Sequence, residues 1–334
     1  MTKHKIPVIA VQGPTASGKS ALALAICKRY GGELISCDSM QIYRRMDIGT
    51  AKPTHKEMAE IPHHLIDICD PDESFSAADF SVRAADVIAD VYQRGKLPVL
   101  CGGTGLYLDS VLRGVDFGEL QTDPAYREAL AARVEAEGVQ ALHDELRACD
   151  PTAADAIHPN NVKRVIRALE ICRFSGMTKT AWDKKAIEGD SPYHSLVIAL
   201  DYRDRDVLYE RIGRRVDQMM ETGLIEEARA LFDDGLLTPD STAGGAIGYK
   251  ELLGYFNGTD TKETAADAIK LATRRYAKRQ LTWLRRNPAV HWLSPDAYAD
   301  TDGLTEAAFA LIEKDFGEYV TAPTPDLSGN KNEE

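Results

Sequence analysis

The chain has 334 residues, 44% of them apolar and 28% charged, and a formal net charge of −12. At about 150 residues per domain it is too long for a peptide or a disulfide-stapled scaffold, and its composition excludes a fibrous or largely disordered protein. No run reaches the roughly 18 apolar residues a membrane-spanning helix needs, and no secretory cleavage pattern follows the first apolar run, so no membrane partner and a cytosolic setting are expected.

Residues 6–12 (IPVIAVQ) read as a buried strand, and a glycine-containing loop leads from it into a helix over 20–30 (SALALAICKRY). Three further apolar runs, ELISC (33–37), HLIDIC (64–69) and LPVLC (97–101), are separated by helical stretches such as 77–93. Strands alternating with helices imply an α/β fold with a parallel sheet and right-handed crossovers. The interval 116–192 carries no strand signal and reads as helices over 124–137, 138–148 and 160–174, after which SLVIAL (195–200) is a fifth strand candidate. An all-helical subdomain over 116–192, inserted into a discontinuous core of 1–115 and 193–320, accounts for this order. Helices are expected over 204–221, 225–234 and 261–286, and the Pro-rich polar end, 321–334, as a disordered tail. The six cysteines, Cys27, Cys37, Cys69, Cys101, Cys149 and Cys172, form no C-x-x-C pair and read as reduced thiols.

The sharpest motif is Gly13-Pro14-Thr15-Ala16-Ser17-Gly18-Lys19-Ser20, which satisfies G-x-x-x-x-G-K-[ST] between an apolar strand and a helix. Glycines let backbone amides converge on phosphate oxygens, the helix N-terminus adds partial positive charge, and Lys19 adds a full one. Ser20 is placed to hold Mg²⁺. The strand LPVLC runs into Gly102-Gly103-Thr104-Gly105 with no carboxylate at its end, so the acidic candidates near the cradle are Asp38 after ELISC and Asp70 after HLIDIC. Ligands of open α/β sheets sit at the carboxyl ends of strands, where Asp38, Asp70 and Thr104 could all face the phosphate. Cys37-Asp38-Ser39-Met40-Gln41 gathers an acid, a hydroxyl and an amide at one strand exit; the alternative for Asp38 is an ordinary turn or cap.

Residues 270–286 (KLATRRYAKRQLTWLRR) hold seven Lys or Arg and no acid, with Tyr276 and Trp283 interleaved. That pattern suits phosphate contacts combined with stacking on unpaired bases, or a solvated helix whose arginines pair with acids elsewhere. A second basic cluster, Lys163, Arg164 and Arg167, lies in the helical interval. A uniformly acidic surface repels nucleic acid, so any polyanion must meet these local faces.

The strings GPTASGKS (13–20), LISCDSMQIY (34–43), DIGTAKP (47–53), FSAADF (75–80), GGTGLY (102–107), HPNN (158–161), RALE (167–170), AIGYKE (246–251) and TRRYAKRQLTW (273–283) together resemble the tRNA dimethylallyltransferase family across nearly the whole chain. The resemblance implies a core like that of P-loop nucleotide-binding proteins, with the cradle holding the diphosphate of dimethylallyl diphosphate and the insert gripping the anticodon stem-loop of tRNA. The prenyl group would go to the exocyclic amine of the adenosine immediately 3′ of the anticodon. It assigns diphosphate contacts to Gly13, Thr15, Ala16, Ser17, Gly18, Lys19 and Ser20, joined by Arg215 of the R-I-x-x-R segment and by Arg211. Asp38 becomes the general base, with Lys19, Thr104 and Arg215 beside it in the reaction. For tRNA it implies Asp38, Ser39, Met40, Gln41, Thr104, Arg127, Asn161, Lys163, Arg164, Arg167, Gly248, Tyr249, Lys250, Arg274, Arg275, Lys278, Arg279 and Gln280. Val216 stands where many relatives carry Phe, a change of packing. Mg²⁺ is the implied cofactor, and nothing demands more than a monomer. The competing readings are a small-molecule kinase, which would bind ATP tightly but would need an arginine-rich lid that is not evident, and a non-catalytic RNA-binding protein or nucleotide switch, for which no guanine-specificity motif is found.

Overall fold

The computed structural model describes residues 5–115, 123–186, 190–238 and 241–320. Six strands, β1 (Ile6–Gln12), β2 (Gly32–Ser36), β3 (His63–His64), β4 (Leu97–Gly102), β5 (Tyr193–Leu200) and β6 (Val290–Leu293), form one parallel sheet in the order β3-β2-β4-β1-β5-β6. The helices are α1 (Lys19–Tyr30), α2 (His55–Glu60), α3 (Ala77–Gln93), α4 (Gly105–Leu112), α5 (Pro124–Glu137), α6 (Val139–Cys149), α7 (Pro151–Ala156), α8 (Val162–Ser175), α9 (Lys179–Ala186), α10 (Arg205–Glu221), α11 (Leu224–Asp233), α12 (Leu253–Phe256), α13 (Lys262–Leu284) and α14 (Thr301–Val320). No described helix is long and apolar enough to cross a membrane.

The chain divides into two compact units, one running to Leu112 and resuming at Pro192, the other spanning Arg113–Ser191. In the first, β1 lies between β4 and β5 and is buried from Pro7 to Gln12, which explains its near-continuous apolar run. Alternation sends Ile9 and Val11 toward Leu22 and Ile26 of α1 and Ile312 and Phe316 of α14, while Val8 and Ala10 face Phe80 and Ile88 of α3 and Leu108 of α4. A third apolar cluster, with Ile42, Met46, Val216, Leu224 and Tyr249 at its centre, joins α10 and α11 to the segment after β2. Val216 is therefore a packing residue.

The second unit is all-helical and closes on Leu130, Leu142, Leu146, Val165 and Leu169. Asp123 caps α5 ahead of Pro124, and buried Asp150 caps α7 while accepting from the amide and hydroxyl of Thr180.

Helices α2, α4, α7, α9, α12 and α14 add to those expected, and two strands differ from the sequence reading. HLIDIC is not a strand beyond His64, because Leu65 (φ 60°) and Asp67 (φ 55°) turn the backbone left-handed. Buried Lys52 binds Asp67 there, together with Asp47 and the Tyr43 carbonyl. The short edge strand β6, pairing only with β5, follows Asn287-Pro288 without a period long enough to read. The tail at 321–334 and the expected start of the insert at 116 lie outside the described residues.

Candidate active site

The phosphate loop leaves β1 at Gly13, whose φ of 150° and surroundings admit no side chain: a Cβ would lie 2.8 Å from Ser17 Oγ and 3.1 Å from the Leu200 carbonyl. Ala16 (φ 62°) and Gly18 (φ 94°) complete the left-handed turns that carry the chain into α1. Gly18 caps α1 without a side-chain hydrogen bond, so the first amides of the helix stay open to an anion. Within the loop the Ser17 amide donates to the Pro14 carbonyl at 3.2 Å and Lys19 Nζ folds onto the same carbonyl at 3.3 Å. Arg211 donates its Nε to the Ala16 carbonyl at 2.9 Å.

Positive charge converges on this loop at a cost in hydration. Burial pushes the Lys19 ammonium below its ordinary value, and Arg215 acts in the same direction, while Cys101 and Asp38 oppose them. Burial likewise lowers Arg215, which Asp38 partly offsets. Ser17 Oγ and Arg215 Nε are buried with no partner among the described residues. Unpaired buried donors of this kind are rare unless a ligand or water completes them. The Gln12 amide is in the same state at both its nitrogen and its oxygen. Sequence reasoning passes over Gln12; a single amide ending an otherwise apolar strand is the trace it leaves.

Asp38 leaves the end of β2 and Thr104 the end of β4. Asp38 Oδ1 accepts the Met40 amide at 2.9 Å, and the Thr104 amide donates to the Cys37 carbonyl at 3.1 Å. Thr104 Oγ1 accepts the Ser39 amide at 3.0 Å and donates to Ser39 Oγ at 3.2 Å. So Asp38 is in a turn, as its alternative reading held, yet it also acts electrostatically on Lys19, Arg215 and Tyr276 and is in no ion pair among the described residues. Asp70 is not part of this site: it is exposed and pairs with Arg44 at 2.8 Å.

Helix α13 closes the site from the side with residues one turn apart. Gln280, only 5% exposed, accepts the Thr15 amide on Oε1 at 3.1 Å and donates Nε2 to the Gly103 carbonyl at 3.0 Å. Burial, with Asp38 adding to it, pushes the Tyr276 hydroxyl up to about 12, against hydrogen bonds with Thr104 and Gln280. Trp283 donates its indole N–H to Asp109 at 2.9 Å and covers Gly105, where a Cβ would lie 2.3 Å from the ring. Tyr276 and Trp283 are thus inward-facing supports, and a stacking role for them on bases is not what the structure shows.

Several residues assigned to RNA by resemblance are engaged inside the protein. Tyr249 is wholly buried and donates to Glu227 Oε1 at 2.7 Å, and Gly248 is buried beside it. Gln41 accepts from Ser36 Oγ at 2.8 Å and donates to the carbonyls of Thr50 and Ala51 at 3.2 Å each. Gln280 belongs with them. The signal that separates these residues from true surface contacts is burial, which motif spacing does not carry.

The basic side of α13 is largely without ion pairs, and that of the helical unit is half paired. On α13, Lys270 pairs with Asp217 and Arg285 with Asp201, both at 2.6 Å, whereas Arg274, Arg275, Lys278, Arg279 and Arg286 form no ion pair among the described residues. That favours the polyanion reading over the solvated helix. In the helical unit, Asn161, Lys163 and Arg164 are exposed, while Arg127 and Arg167 both reach fully buried Glu170.

Among the described residues no cluster of three or more His, Cys, Asp or Glu could hold a metal. Near the loop Asp38 is the carboxylate the sequence offers for a hard cation, and the hydroxyls of Ser20, Ser17 and Thr15 are neutral, so oxygens from a bound phosphate compound are needed to complete a site.

A model of the IPP transferase family matches residues 41–287. A tRNA dimethylallyltransferase of Halalkalibacterium halodurans is 52% identical over 288 residues, 86% of this chain and 91% of that protein. One of Bacillus subtilis is 49% identical over 312 residues, 93% of this chain and 98% of its own. The crystal structure of the full-length tRNA isopentenylpyrophosphate transferase of Bacillus halodurans superposes with a TM-score of 0.71 at 48% identity, covering 95% and 99% of the two chains. A eukaryotic dimethylallyltransferase acting on tRNA gives a TM-score of 0.81 at 28% identity, covering 96% of this chain and 81% of that one.

Proposed function

The chain belongs to the IPP transferase family and is a tRNA-modifying prenyltransferase; from that premise we propose how its own residues divide the work. Dimethylallyl diphosphate seats its diphosphate on the open amides of α1, with Lys19, Arg215 and Ser17 meeting its oxygens and Arg211 steadying the loop. The acceptor is the exocyclic amine of the adenosine 3′ of the anticodon. Its nitrogen attacks the allylic carbon, the carbon–oxygen bond breaks, the electron pair leaves with diphosphate, and Asp38 takes the amine proton. An aromatic amine is a weak nucleophile, so removing that proton matters as much as holding the leaving group. Thr104 and Ser39 fix the turn that presents Asp38. Ser20 would hold Mg²⁺ jointly with the diphosphate, and the ion would add charge neutralisation there.

The observation that carries this reading is a carboxylate without an ion-pair partner, acting on two desolvated cations beside a phosphate loop. On the RNA side, Arg274, Arg275, Lys278, Arg279 and Lys250 of the first unit and Arg127, Asn161, Lys163, Arg164 and Arg167 of the second supply phosphate and sugar contacts to the anticodon stem-loop. An anticodon-loop base is already partly unpaired, which lowers the cost of drawing it out. The enzyme works as a monomer in the cytosol, where its tRNA substrate is found. Incubating the purified protein with unmodified tRNA and dimethylallyl diphosphate labelled in the prenyl group tests the proposal. Label in the tRNA at that adenosine is expected, and its absence would refute the assignment.

A further inference from the structure

The helix with the unpaired basic face is also the helix that touches both substrate loops, and one side chain makes the connection. Gln280 hydrogen-bonds the Thr15 amide of the phosphate loop at 3.1 Å and the Gly103 carbonyl, next to Thr104, at 3.0 Å. Its neighbours on that face, Tyr276 four residues before and Trp283 three residues after, meet Thr104 and Gly105. Arg275, Lys278 and Arg279 of the same helix are exposed to solvent, Arg279 with its guanidinium over the Tyr276 ring at 5.5 Å. Both ends of the Gln280 amide are engaged and the residue is 5% exposed, so it has neither a free group nor an open surface to offer a nucleotide. Gly103 is shaped to receive it, since a Cβ there would lie 2.0 Å from Gln280 Nε2.

We infer that Gln280 is a positioning residue that fixes the diphosphate loop against the Thr104 loop from the RNA-bearing helix, and is not itself an RNA contact. The inference rests on the prenyl-transfer reading above for what the two loops bind. Its consequence is a division between substrates: losing the clasp disorders the diphosphate cradle and leaves the phosphate contacts of the outer helix face intact. Losing two neutral hydrogen bonds at a loop that is otherwise intact sets the scale at roughly tenfold.

The test uses the full chain and two variants that break the clasp from opposite sides, Gln280→Leu and Gly103→Ala. For each, KM for dimethylallyl diphosphate and for tRNA, kcat, and the Kd of inorganic diphosphate are measured beside the unaltered protein. The expected result for both is a KM for dimethylallyl diphosphate and a Kd for diphosphate raised about tenfold, with KM for tRNA within about twofold. A rise in KM for tRNA with diphosphate binding unchanged would overturn the inference in favour of an RNA contact. No change in any constant, or an equal loss for both substrates, would overturn it as well. Should one variant not fold, the other carries the same split. Label transfer by the unaltered protein is scored first, so a failure of the prenyl-transfer reading is seen separately.

Discussion

The phosphate-loop pocket and the clasp around Glu227 and Lys52 are both made of motif residues in one unit, and they treat their polar groups in opposite ways. In the clasp every charge is answered from within: Glu227 accepts the amides of Asp47, Ile48 and Gly49 at 2.9, 2.8 and 3.0 Å as well as the Tyr249 hydroxyl. Lys52, whose side chain is 4% exposed, is held by Asp47, Asp67 and the Tyr43 carbonyl. In the pocket, Lys19 reaches only its own loop, Arg215 Nε and Ser17 Oγ have no partner among the described residues, and Asp38 is in no ion pair there. Family-specific strings therefore mark two different things. DIGTAKP and AIGYKE build a self-satisfied support, while GPTASGKS and the residues around Asp38 leave groups for something else to satisfy.

The contrast can be broken by substitution. Lys19→Ala is expected to lower prenyl transfer about 10³-fold, the scale of losing one preorganised donor to a developing oxyanion. Its Tm should hold or rise, because burial lowers the Lys19 pKa and so penalises its charged form at neutral pH. A clear fall in Tm would move Lys19 to the structural side. Glu227→Ala should do the reverse, costing about 3 kcal/mol by leaving three amides and the hydroxyl of buried Tyr249 unmet, with transfer per folded molecule within about threefold. Denaturant melts and an active-fraction assay check both halves, and a large loss of transfer in a stably folded Glu227→Ala would erase the distinction. Smaller in effect is the outer face of α13: replacing Arg275, Lys278 and Arg279 together with Ala should weaken tRNA binding and reduce the slope of log K against log salt by about 2. An unchanged slope in filter binding would mean that these side chains meet no phosphates.

Much of this was legible because it is local. The strand, glycine turn and helix that frame Lys19 lie within residues 6–30, and a seven-residue apolar strand followed by a left-handed loop has few alternatives. What was not legible depends on partners far along the chain. Nothing near Gly103 and Gly105 in the sequence says why they are glycines; each is small because a side chain of α13 lies against it, and the Gln280 hydrogen bond to Gly103 spans 177 positions and that to Thr15 spans 265. HLIDIC has strand composition but turns left-handed at Leu65 and Asp67, where Lys52, fifteen positions earlier, pairs with Asp67. Trp283 reads as a stacking aromatic until Asp109 and Gly105 are found beneath it. On α13 the sequence left paired and unpaired arginines equally open, and only the placement of Asp201 and Asp217 decided which residues are neutralised.

The central claim is that Asp38 takes a proton during transfer and does not merely shape a turn. Asp38→Asn keeps an oxygen to accept the Met40 amide and loses the base, so single-turnover prenyl transfer and tRNA Kd measured on the same preparation separate the two roles. The account predicts a rate lowered about 10²- to 10⁴-fold with tRNA Kd within about twofold. A rate close to that of the unaltered protein, or a loss matched by release of tRNA, would contradict it.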